Sequence, residues 1–370
     1  YGGRRNMKNK KTVTALLAGV CVMSSCKNAV GTLKIIAPGV AVSLNNPEIT
    51  EFVDDYYFGK SLGYIDKAKG DRFFPTAVGV EWTGDADGNY ELTTALSEDF
   101  SDSITYEVKG LQTEMSGLFT GRTYYCKVKS AADGKESGVK KFTTARGPRT
   151  VKIDGVSNTR DIGGYAVSGG ETKQGFIYRG ATPENISAAG LRQFKALGIK
   201  TIIDLREKSE RKETLPGVKY IDLPERGGPC YVRGDRSLIE EPFTSALVKS
   251  VGVFADENNY PVYFHCQIGR DRTGTLAFII NGLLGADEND LALDYELSCF
   301  SAAGCVDYDD KNKQIENMTA NFKSMTTYFL KYSKLKGNKT PDIKSGIEAF
   351  LIDNGVTEKE IAEIRRILVV

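Results

Sequence analysis

A short apolar run that leads into a histidine, a cysteine and a glycine-containing loop constrains the fold more than any other feature of the sequence. Residues 259–264 are rich in aromatic and β-branched side chains and predict a buried strand. The stretch HCQIGRDRTG at 265–274 follows, and apolar residues then continue to Leu284 over the length of a buried helix. A loop between a strand and a helix directs backbone N–H groups and the positive end of the helix at one point. The sequence therefore predicts an anion-binding site in this loop.

The region that contains this loop alternates between strands and helices, from residue 150 to residue 370. This alternation predicts an α/β domain in which helices flank a central sheet. The predicted strands cover 175–179, 200–205, 218–223 and 262–264. The predicted helices cover 187–197, 240–257, 273–284, 288–299, 311–331 and 357–368. Sites in such folds gather at the carboxyl ends of strands, which is where Cys266 lies.

A different pattern precedes this domain. Residues 31–145 predict an all-β sandwich, because short aromatic or alternating segments are separated by Gly, Asp, Ser and Asn turns. The part from 77 to 144 resembles a fibronectin type III or similar immunoglobulin-like module in its Trp82, its 118–125 stretch and its closing residues 141–144. Residues 46–74 fit that module less well and are interpreted as an insertion. The polar Gly/Pro stretch at 145–149 predicts the boundary between the two domains.

The first 26 residues predict a lipoprotein-type signal segment, 1–26. Basic residues follow Met7, and the apolar stretch after them is shorter than the ~20 residues that span a bilayer. Met23-Ser24-Ser25-Cys26 resembles a lipobox, which predicts lipidation of Cys26 and a membrane attachment through that lipid. The protein is then an exported lipoprotein of the cell envelope, periplasmic or anchored to the outer membrane. A plain secretory signal is the alternative.

Composition narrows the classes of partner. The chain has 49 Lys and Arg against 48 Asp and Glu, a formal net charge of +1, so it lacks the basic excess typical of nucleic-acid-binding domains. His265 is the only histidine, and one histidine cannot build a His/Cys metal cluster. We therefore predict no nucleic-acid partner, no metal and no cofactor.

The chemistry of the loop follows from the spacing of Cys266 and Arg272, which are separated by five residues. A loop of this length can curl so that a thiolate and a guanidinium face one tetrahedral anion. The helix N-terminus and Arg272 favour the thiolate form of Cys266, which is the nucleophilic form. Thr273 is expected to donate a hydrogen bond to the sulfur, and His265 to brace the loop. The predicted phosphate-binding set is Gln267, Ile268, Gly269, Arg270, Asp271 and Arg272.

These residues carry a resemblance to a known family. His265-Cys266, five residues and Arg272-Thr273-Gly274 match the signature of cysteine-dependent protein tyrosine phosphatases. The stretches 158–165, 178–180, 197–206 and 354–357 resemble the bacterial family of atypical tyrosine/serine phosphatases, which includes secreted enzymes that act on phosphotyrosine and often on phosphoinositides. The resemblance implies that Cys266 attacks phosphorus to give a phosphocysteine, that Arg272 stabilises the equatorial oxygens, and that water completes the hydrolysis without a metal.

The resemblance leaves the general acid and the substrate open. Asp271 is the first candidate for the acid, and Glu225, which follows Leu223-Pro224, is the alternative. Arg270 stands where a lysine is commoner, and its charge could contact a second phosphate of an inositide. The expected substrate is phosphotyrosine, with phosphoserine, phosphothreonine and phosphoinositides as further classes. A catalytically silent phosphate-binding adaptor at the cell envelope is the alternative function.

Three cysteines and two aspartates have weaker assignments. Asp161 and Asp204 are interpreted as structural, because each lies beside an arginine at the end of a predicted strand or in a turn. Cys230 is interpreted as a loop thiol outside the chemistry. Cys299 and Cys305 are close enough in sequence to pair, but separation alone does not establish the geometry of a disulfide.

Overall fold

The computed structural model describes residues 33–64, 66, 69–212, 215–223, 243–302 and 311–370. Strands β1 to β15 run Ile35–Ile36, Val78–Trp82, Asn89–Ala95, Ile104–Lys109, Gln112–Met115, Thr123–Ser130, Lys140–Thr143, Arg149–Thr150, Arg160–Asp161, Ala166–Val167, Gly170–Glu171, Ile177–Gly180, Thr201–Asp204, Lys219–Tyr220 and Val262–His265. Helices α1 to α8 run Pro47–Val53, Ala188–Ala196, Phe243–Val253, Asp271–Leu284, Glu288–Leu297, Lys311–Leu335, Ile343–Asp353 and Glu358–Leu368.

A mixed six-stranded sheet forms the centre of the C-terminal part, in the order β14-β13-β15-β12-β9-β8. The first four strands are parallel, whereas β9 and β8 run antiparallel to their neighbours. In the parallel part, His265 is in register with Gly180 on one side and with Asp204 on the other. The carboxyl ends of three strands therefore meet at one edge of the sheet, and the α/β organisation predicted from the sequence is confirmed.

Helices cover both faces of this sheet. Successive side chains of a strand point to opposite faces, so apolar strand residues need a cover on each face. Ile203 and Phe264 lie on one face, in a core that also contains the apolar residues of α4. Ile202 and Tyr263 lie on the other face, where Phe194 of α2 packs against the Tyr263 ring. Strands that are buried on both faces read as continuous apolar runs, and this is why the strand at Val262–His265 was evident in the sequence.

The N-terminal part contains two antiparallel sheets, β1-β2-β5 and β4-β3-β6-β7. Their buried side chains form one cluster that includes Trp82, Leu92 and Cys126. Trp82 is only 3% exposed, so it belongs to the core, as expected for a lone tryptophan in a strand. Burial also raises the pKa of the Cys126 thiol to about 11, which makes it inert near neutral pH. The resemblance to a fibronectin type III module stays a prediction.

Residues 46–74 leave the N-terminal sheets and return to them, since Asn45 and Pro75 pair across a β-bridge. We call the described residues of this excursion, 46–64, 66 and 69–74, the docking segment. Its helix α1 begins with Asn46, whose Oδ1 accepts a hydrogen bond from the backbone N–H of Ile49. The docking segment packs against α5 and the turn that follows it, in a cluster of Ile49, Phe52, Phe73, Leu293, Leu297 and Phe300.

Two helices of the structure differ from the predicted elements. Helix α7 was not predicted, although Ile347, Phe350 and Leu351 have helical spacing and are buried. Its start was also readable, because Asp342 caps it by accepting a hydrogen bond from the N–H of Ser345 at 2.8 Å. Helix α4 begins at Asp271, two residues earlier than predicted, because the end of the loop is itself the first turn of the helix.

Several predicted features lie outside the described residues: Cys26, Glu225, Cys230 and Cys305. Across the described ranges, no helix has both the length and the apolar content required to cross a membrane.

A buried aromatic ring in the docking segment should contribute to the stability of the fold. Phe52 is fully buried, with its ring edge against Tyr56, Tyr64 and Phe300. Phe52→Ala should lower the free energy of unfolding by about 3–5 kcal/mol, because it removes a buried ring and leaves a cavity. Urea unfolding followed by circular dichroism measures this loss. Tyr57→Ala is the control, since Tyr57 is 63% exposed; equal losses in the two variants would contradict the packing described here.

Candidate active site

Cys266 directly follows β15 and is only 2% exposed. The loop that it opens ends where α4 begins, at Asp271. Gly269 has a φ of +72°, and a Cβ at this position would lie 2.4 Å from the carbonyl carbon and oxygen of Gly180. Only glycine is compatible with both the backbone conformation and the close approach to the end of β12.

Two side chains hold the carbonyl groups on the outer side of this loop. Asn158 Nδ2 donates hydrogen bonds to the carbonyl oxygens of Ile268 at 3.1 Å and Gly269 at 3.0 Å. Arg179 Nη2 donates to the carbonyl oxygens of Gly269 at 2.8 Å and Arg270 at 3.3 Å. In a trans peptide the next N–H points opposite to the carbonyl, so these bonds turn the N–H groups towards the inside of the loop. Convergent N–H groups are the geometry of an anion-binding loop.

A buried ion cluster supports these two side chains. Arg160 Nε donates to Asp294 Oδ1 at 2.8 Å, and Arg179 Nη1 forms an ion pair with Asp294 Oδ2. Arg160 Nη1 also donates to Asn158 Oδ1 at 2.6 Å, which orients the amide so that Nδ2 faces the loop. Because two guanidinium groups share one carboxylate, a positive charge remains behind the loop. That charge favours an anion in front of it.

The protonation states follow from burial and charge. Burial by itself raises the pKa of Asp294, but the charges of Arg160 and Arg179 hold it below its ordinary value. Burial and the nearby charge of Arg160 lower the pKa of Arg179 to about 10. Asp294 and Arg179 are therefore both ionised near neutral pH.

His265 touches the backbone of the loop. Its Nδ1 lies 3.0 Å from the carbonyl oxygen of Cys266, so Nδ1 carries the hydrogen and donates it. Burial lowers the pKa of His265, and the ring is therefore neutral near pH 7. Nε2 lies 3.9 Å from Asp204 Oδ2 and has no hydrogen-bond partner among the described residues. The bracing role expected for His265 stays a prediction.

The Asp204 carboxylate binds Arg206, a further arginine beside the loop. Arg206 Nε and Nη2 donate to the two carboxylate oxygens of Asp204 at 3.0 and 2.8 Å. Arg206 Nη1 then reaches Glu184 at 2.7 Å and the side-chain oxygen of Gln267 at 3.3 Å. Burial by itself raises the pKa of Asp204, but Arg206 holds it below its ordinary value. Asp204 thus has the structural role that was expected, and through Arg206 it fixes Gln267.

Asp161 also lies in a structural network. Its Oδ2 accepts a hydrogen bond from Arg149 Nη1 at 2.8 Å, and its Oδ1 accepts one from the N–H of Gly163 at 2.8 Å. The side chain is completely buried, and this burial raises its pKa even though Arg149 opposes the shift.

The guanidinium group of Arg272 lies beside the carboxylate of Glu210. Nη1 donates to Glu210 Oε2 at 3.0 Å and to the carbonyl oxygen of Leu205 at 3.5 Å. Burial by itself raises the pKa of Glu210, but the hydrogen bonds from Arg272 and from the Glu207 N–H hold it below its ordinary value. Glu210 is therefore ionised near neutral pH and restricts the rotation of Arg272.

The remaining predicted residues have these positions. The Asp271 carboxylate forms an ion pair with Arg270, with Nε to Oδ1 at 3.1 Å. The Thr273 hydroxyl is fully buried and has no hydrogen-bond partner within the described part of the chain. The expected hydrogen bond to the Cys266 sulfur is thus not formed in this structure, and assistance to the leaving thiolate stays a prediction.

Sequence reasoning did not assign roles to several residues that build the site. Asn158, Arg160 and Arg179 lie in stretches that carried the family resemblance, but a resemblance alone does not say what they contact. The position of Asp294 indicates a paired role, because an acidic residue within the buried part of a helix such as α5 needs a partner. Within the described ranges, no three His, Cys, Asp or Glu side chains converge so as to hold a metal ion.

Comparison with known proteins agrees with this geometry. Residues 151–370 match the family model described as "Tyrosine phosphatase family". A curated protein of Cupriavidus necator, named "Putative tyrosine-protein phosphatase", is 27% identical over 175 residues. The match covers 41% of this chain and 64% of that protein.

The shared carboxylate generates a prediction on stability and pH. Asp294→Asn should lower the free energy of unfolding at pH 7 by about 3–5 kcal/mol, because two buried guanidinium groups lose their counter-charge. The pKa of Asp294 is depressed in the folded state, so its contribution is complete above the unfolded value of about 3.9 and is lost as the pH falls through the folded value. Urea unfolding between pH 3 and pH 7 measures both effects.

Asp290→Asn is the matched control for Asp294→Asn, since both residues are on α5. Burial and the nearby Asp287 raise the pKa of Asp290 to about 6, so removal of its charge should be neutral or slightly stabilising at pH 7. If Asp290→Asn destabilises the protein as much as Asp294→Asn does, the shared carboxylate does not have the role described here.

Proposed function

This chain belongs to the tyrosine phosphatase family, and from that premise we propose that it hydrolyses phosphomonoesters through a phosphocysteine intermediate on Cys266. The observation that carries the proposal is the loop after β15. Its outer carbonyl groups are held by Asn158 and Arg179, so its N–H groups face inwards in front of a net positive charge. Such a loop suits a dianionic phosphate and the trigonal-bipyramidal transition state in which its charge is spread over the equatorial oxygens.

The proposed reaction has two steps. The Cys266 thiolate attacks phosphorus, an S–P bond forms, and the bond from phosphorus to the leaving oxygen breaks while that oxygen takes a proton from the general acid. Water then attacks phosphorus, the S–P bond breaks, and the proton of the water passes to the conjugate base of the same acid. The thiolate is regenerated and inorganic phosphate is released, so no redox partner is required.

Arg272 is proposed to bind the equatorial oxygens during both steps. A guanidinium group suits this task because its N–H donors can bind two oxygens at once. The ion pair with Glu210 supports the proposal, since it limits the side chain to few orientations before the substrate arrives. Thr273 is proposed to stabilise the leaving thiolate, and Gln267 is held in place by Arg206.

The proposed substrate class is phosphotyrosine, with phosphoserine, phosphothreonine and phosphoinositides as further classes. The family supports the first of these. The phosphoinositide class has weaker support, because Arg270 replaces the commoner lysine and is 5% exposed in an ion pair with Asp271. The alternative is a phosphate-binding adaptor that does not turn over. The presence of Cys266, Arg272 and Thr273 in the sequence favours the enzyme.

We also infer that residues 31–145 form a fibronectin type III-like module that positions or tethers the phosphatase domain. The support is the strand pattern, together with a core that contains the lone Trp82. The lipobox-like sequence before Cys26 supports an exported lipoprotein that is attached to the cell envelope. Its partners would then be the membrane and a phosphorylated protein or lipid.

The nucleophile is tested by hydrolysis of p-nitrophenyl phosphate by the reduced protein. Cys266→Ser should lower kcat by more than about 10⁴-fold, because the covalent route is lost. His265→Ala should cost only about tenfold, because it removes one hydrogen bond that braces the loop. Equal losses would instead indicate that His265 and Cys266 act as a dyad. Full activity of folded Cys266→Ser, or none in the wild type, would overturn the proposed function.

The general acid is tested by the pH dependence of kcat/KM. If Asp271 is the acid, Asp271→Asn should lower kcat by about 10²–10⁴-fold and remove the basic limb of the profile, which reports loss of the acidic proton. Glu225→Gln is the companion variant and should keep that limb. A basic limb that persists in Asp271→Asn and disappears in Glu225→Gln would assign the acid to Glu225.

A further inference from the structure

The docking segment lies outside the residues that match the family, yet it contacts the frame that holds the phosphate-binding loop. Phe73 is 1% exposed, and the guanidinium carbon of Arg160 lies 5.4 Å from the centre of its ring. Arg160 in turn holds the side chain of Asn158, and Asn158 donates hydrogen bonds to the loop carbonyl groups. Only two side chains therefore separate Phe73 from the loop.

The contact with Phe73 adds a packing restraint on the Arg160 guanidinium to those that its hydrogen bonds supply. Arg160 directs its N–H groups, in the plane of the guanidinium, to Asp294, to Ser298 and to Asn158. The Phe73 ring adds a cation–π and van der Waals contact to this group. This contact helps to hold the guanidinium, and with it the Nη1 group that donates to Asn158.

Asn158 needs such support because its backbone is strained. Its φ is +60°, in the left-handed region that residues other than glycine rarely adopt, and such strain persists only where the surroundings hold it. The docking segment acts on this residue as well. The Asp71 carboxylate faces the backbone N–H groups of Asn158 and Phe73, which oppose the rise in its pKa that burial causes.

A second group of contacts ties the docking segment to the helix that carries Asp294. The Arg72 backbone N–H donates to the carbonyl oxygen of Phe300 at 2.9 Å, and Arg72 Nη2 donates to that of Cys299 at 2.9 Å. Both acceptors lie in the turn at Ser298–Phe300 that directly follows α5. The segment thus contacts Arg160 through Phe73, and it contacts the turn that follows the helix carrying Asp294.

We propose that Phe73 is a positioning residue for the phosphate-binding loop and acts on it through Arg160 and Asn158. The inference rests on the proposed function for its kinetic consequence, but not for its effect on anion binding. Loss of the ring lets the guanidinium tilt, weakens the hold on Asn158, and lets the loop carbonyl groups rotate. The N–H groups then converge less well on a tetrahedral anion.

The test compares Phe73→Leu, Phe73→Tyr and Phe142→Leu in the full chain. Phe73→Leu keeps an apolar side chain but removes the ring, and it should lower kcat/KM and raise the inhibition constant of inorganic phosphate, each by about tenfold. Phe73→Tyr keeps the ring and should stay within about twofold of the wild type. Phe142→Leu makes the same change at a site that is 2% exposed in the core of the N-terminal sheets, and it should leave both constants unchanged.

These outcomes separate positioning from stability. Assays are run well below the unfolding midpoint of each variant. Unchanged constants in folded Phe73→Leu would overturn the proposal, and so would equal changes in Phe142→Leu. If the wild type does not hydrolyse aryl phosphates, the proposed function fails, while calorimetric titration of the same variants with inorganic phosphate still tests the role of Phe73.

A measurement on the wild type covers the case in which Phe73→Leu does not fold. Coupling between two sites is reciprocal, so inorganic phosphate bound to the loop should slow hydrogen exchange in the docking segment. Peptides that contain residues 70–76 should gain protection at saturating phosphate. Peptides from the hairpin of β3 and β4 are the control and should not change. Identical exchange at residues 70–76 with and without phosphate would overturn the coupling.

Discussion

The carboxylate of Asp294 lies between the guanidinium groups of Arg160 and Arg179, where all three side chains are shielded from water. Two buried cations without a counter-charge would be prohibitively unfavourable, so this carboxylate makes the arrangement possible. Other N–H groups of these arginines donate to Asn158 and to the carbonyl oxygen of Gly269. The shape of the loop at 266–271, and the positive charge behind it, both depend on this shared carboxylate.

Hydrogen bonds between defined donors and acceptors join the N-terminal part to the C-terminal part. The Gln174 side chain donates to the carbonyl oxygen of Thr120 and accepts from its N–H, both at 2.9 Å. Arg149 donates to the carbonyl oxygens of Gly117 and Leu118 while it pairs with Asp161. Separation of the two parts would break these hydrogen bonds and expose the groups to water, so the bonds contribute to holding the parts together. The docking segment adds an apolar contact on α5, so the region outside the family match is part of the frame behind the active site.

Much of this arrangement was predictable because its signals are local. A buried strand, a loop of fixed spacing and an apolar helix are contiguous, so Val262–His265, Cys266 and the helix at Asp271–Leu284 could be placed from sequence alone. Helix α7 also has local signals, in the spacing of its apolar residues and in its Asp342 cap, although it was not predicted. The contacts of Arg272 with Glu210 and of Arg206 with Gln267 are of another kind, because each joins residues about 60 positions apart.

The sequence by itself determined the α/β class, the place of Cys266 at the end of a strand and the chemistry that a thiol and an arginine can perform there. Periodicity and spacing express these properties within a short stretch of chain. Only the tertiary structure decided that Asp294 holds two arginines, that Asn158 is kept in a strained conformation, and that Phe73 lies against Arg160. These contacts bring together side chains from segments distant along the chain. Their energies depend on how deeply the polar groups are buried and on the geometry of their hydrogen bonds, and a local sequence pattern predicts neither.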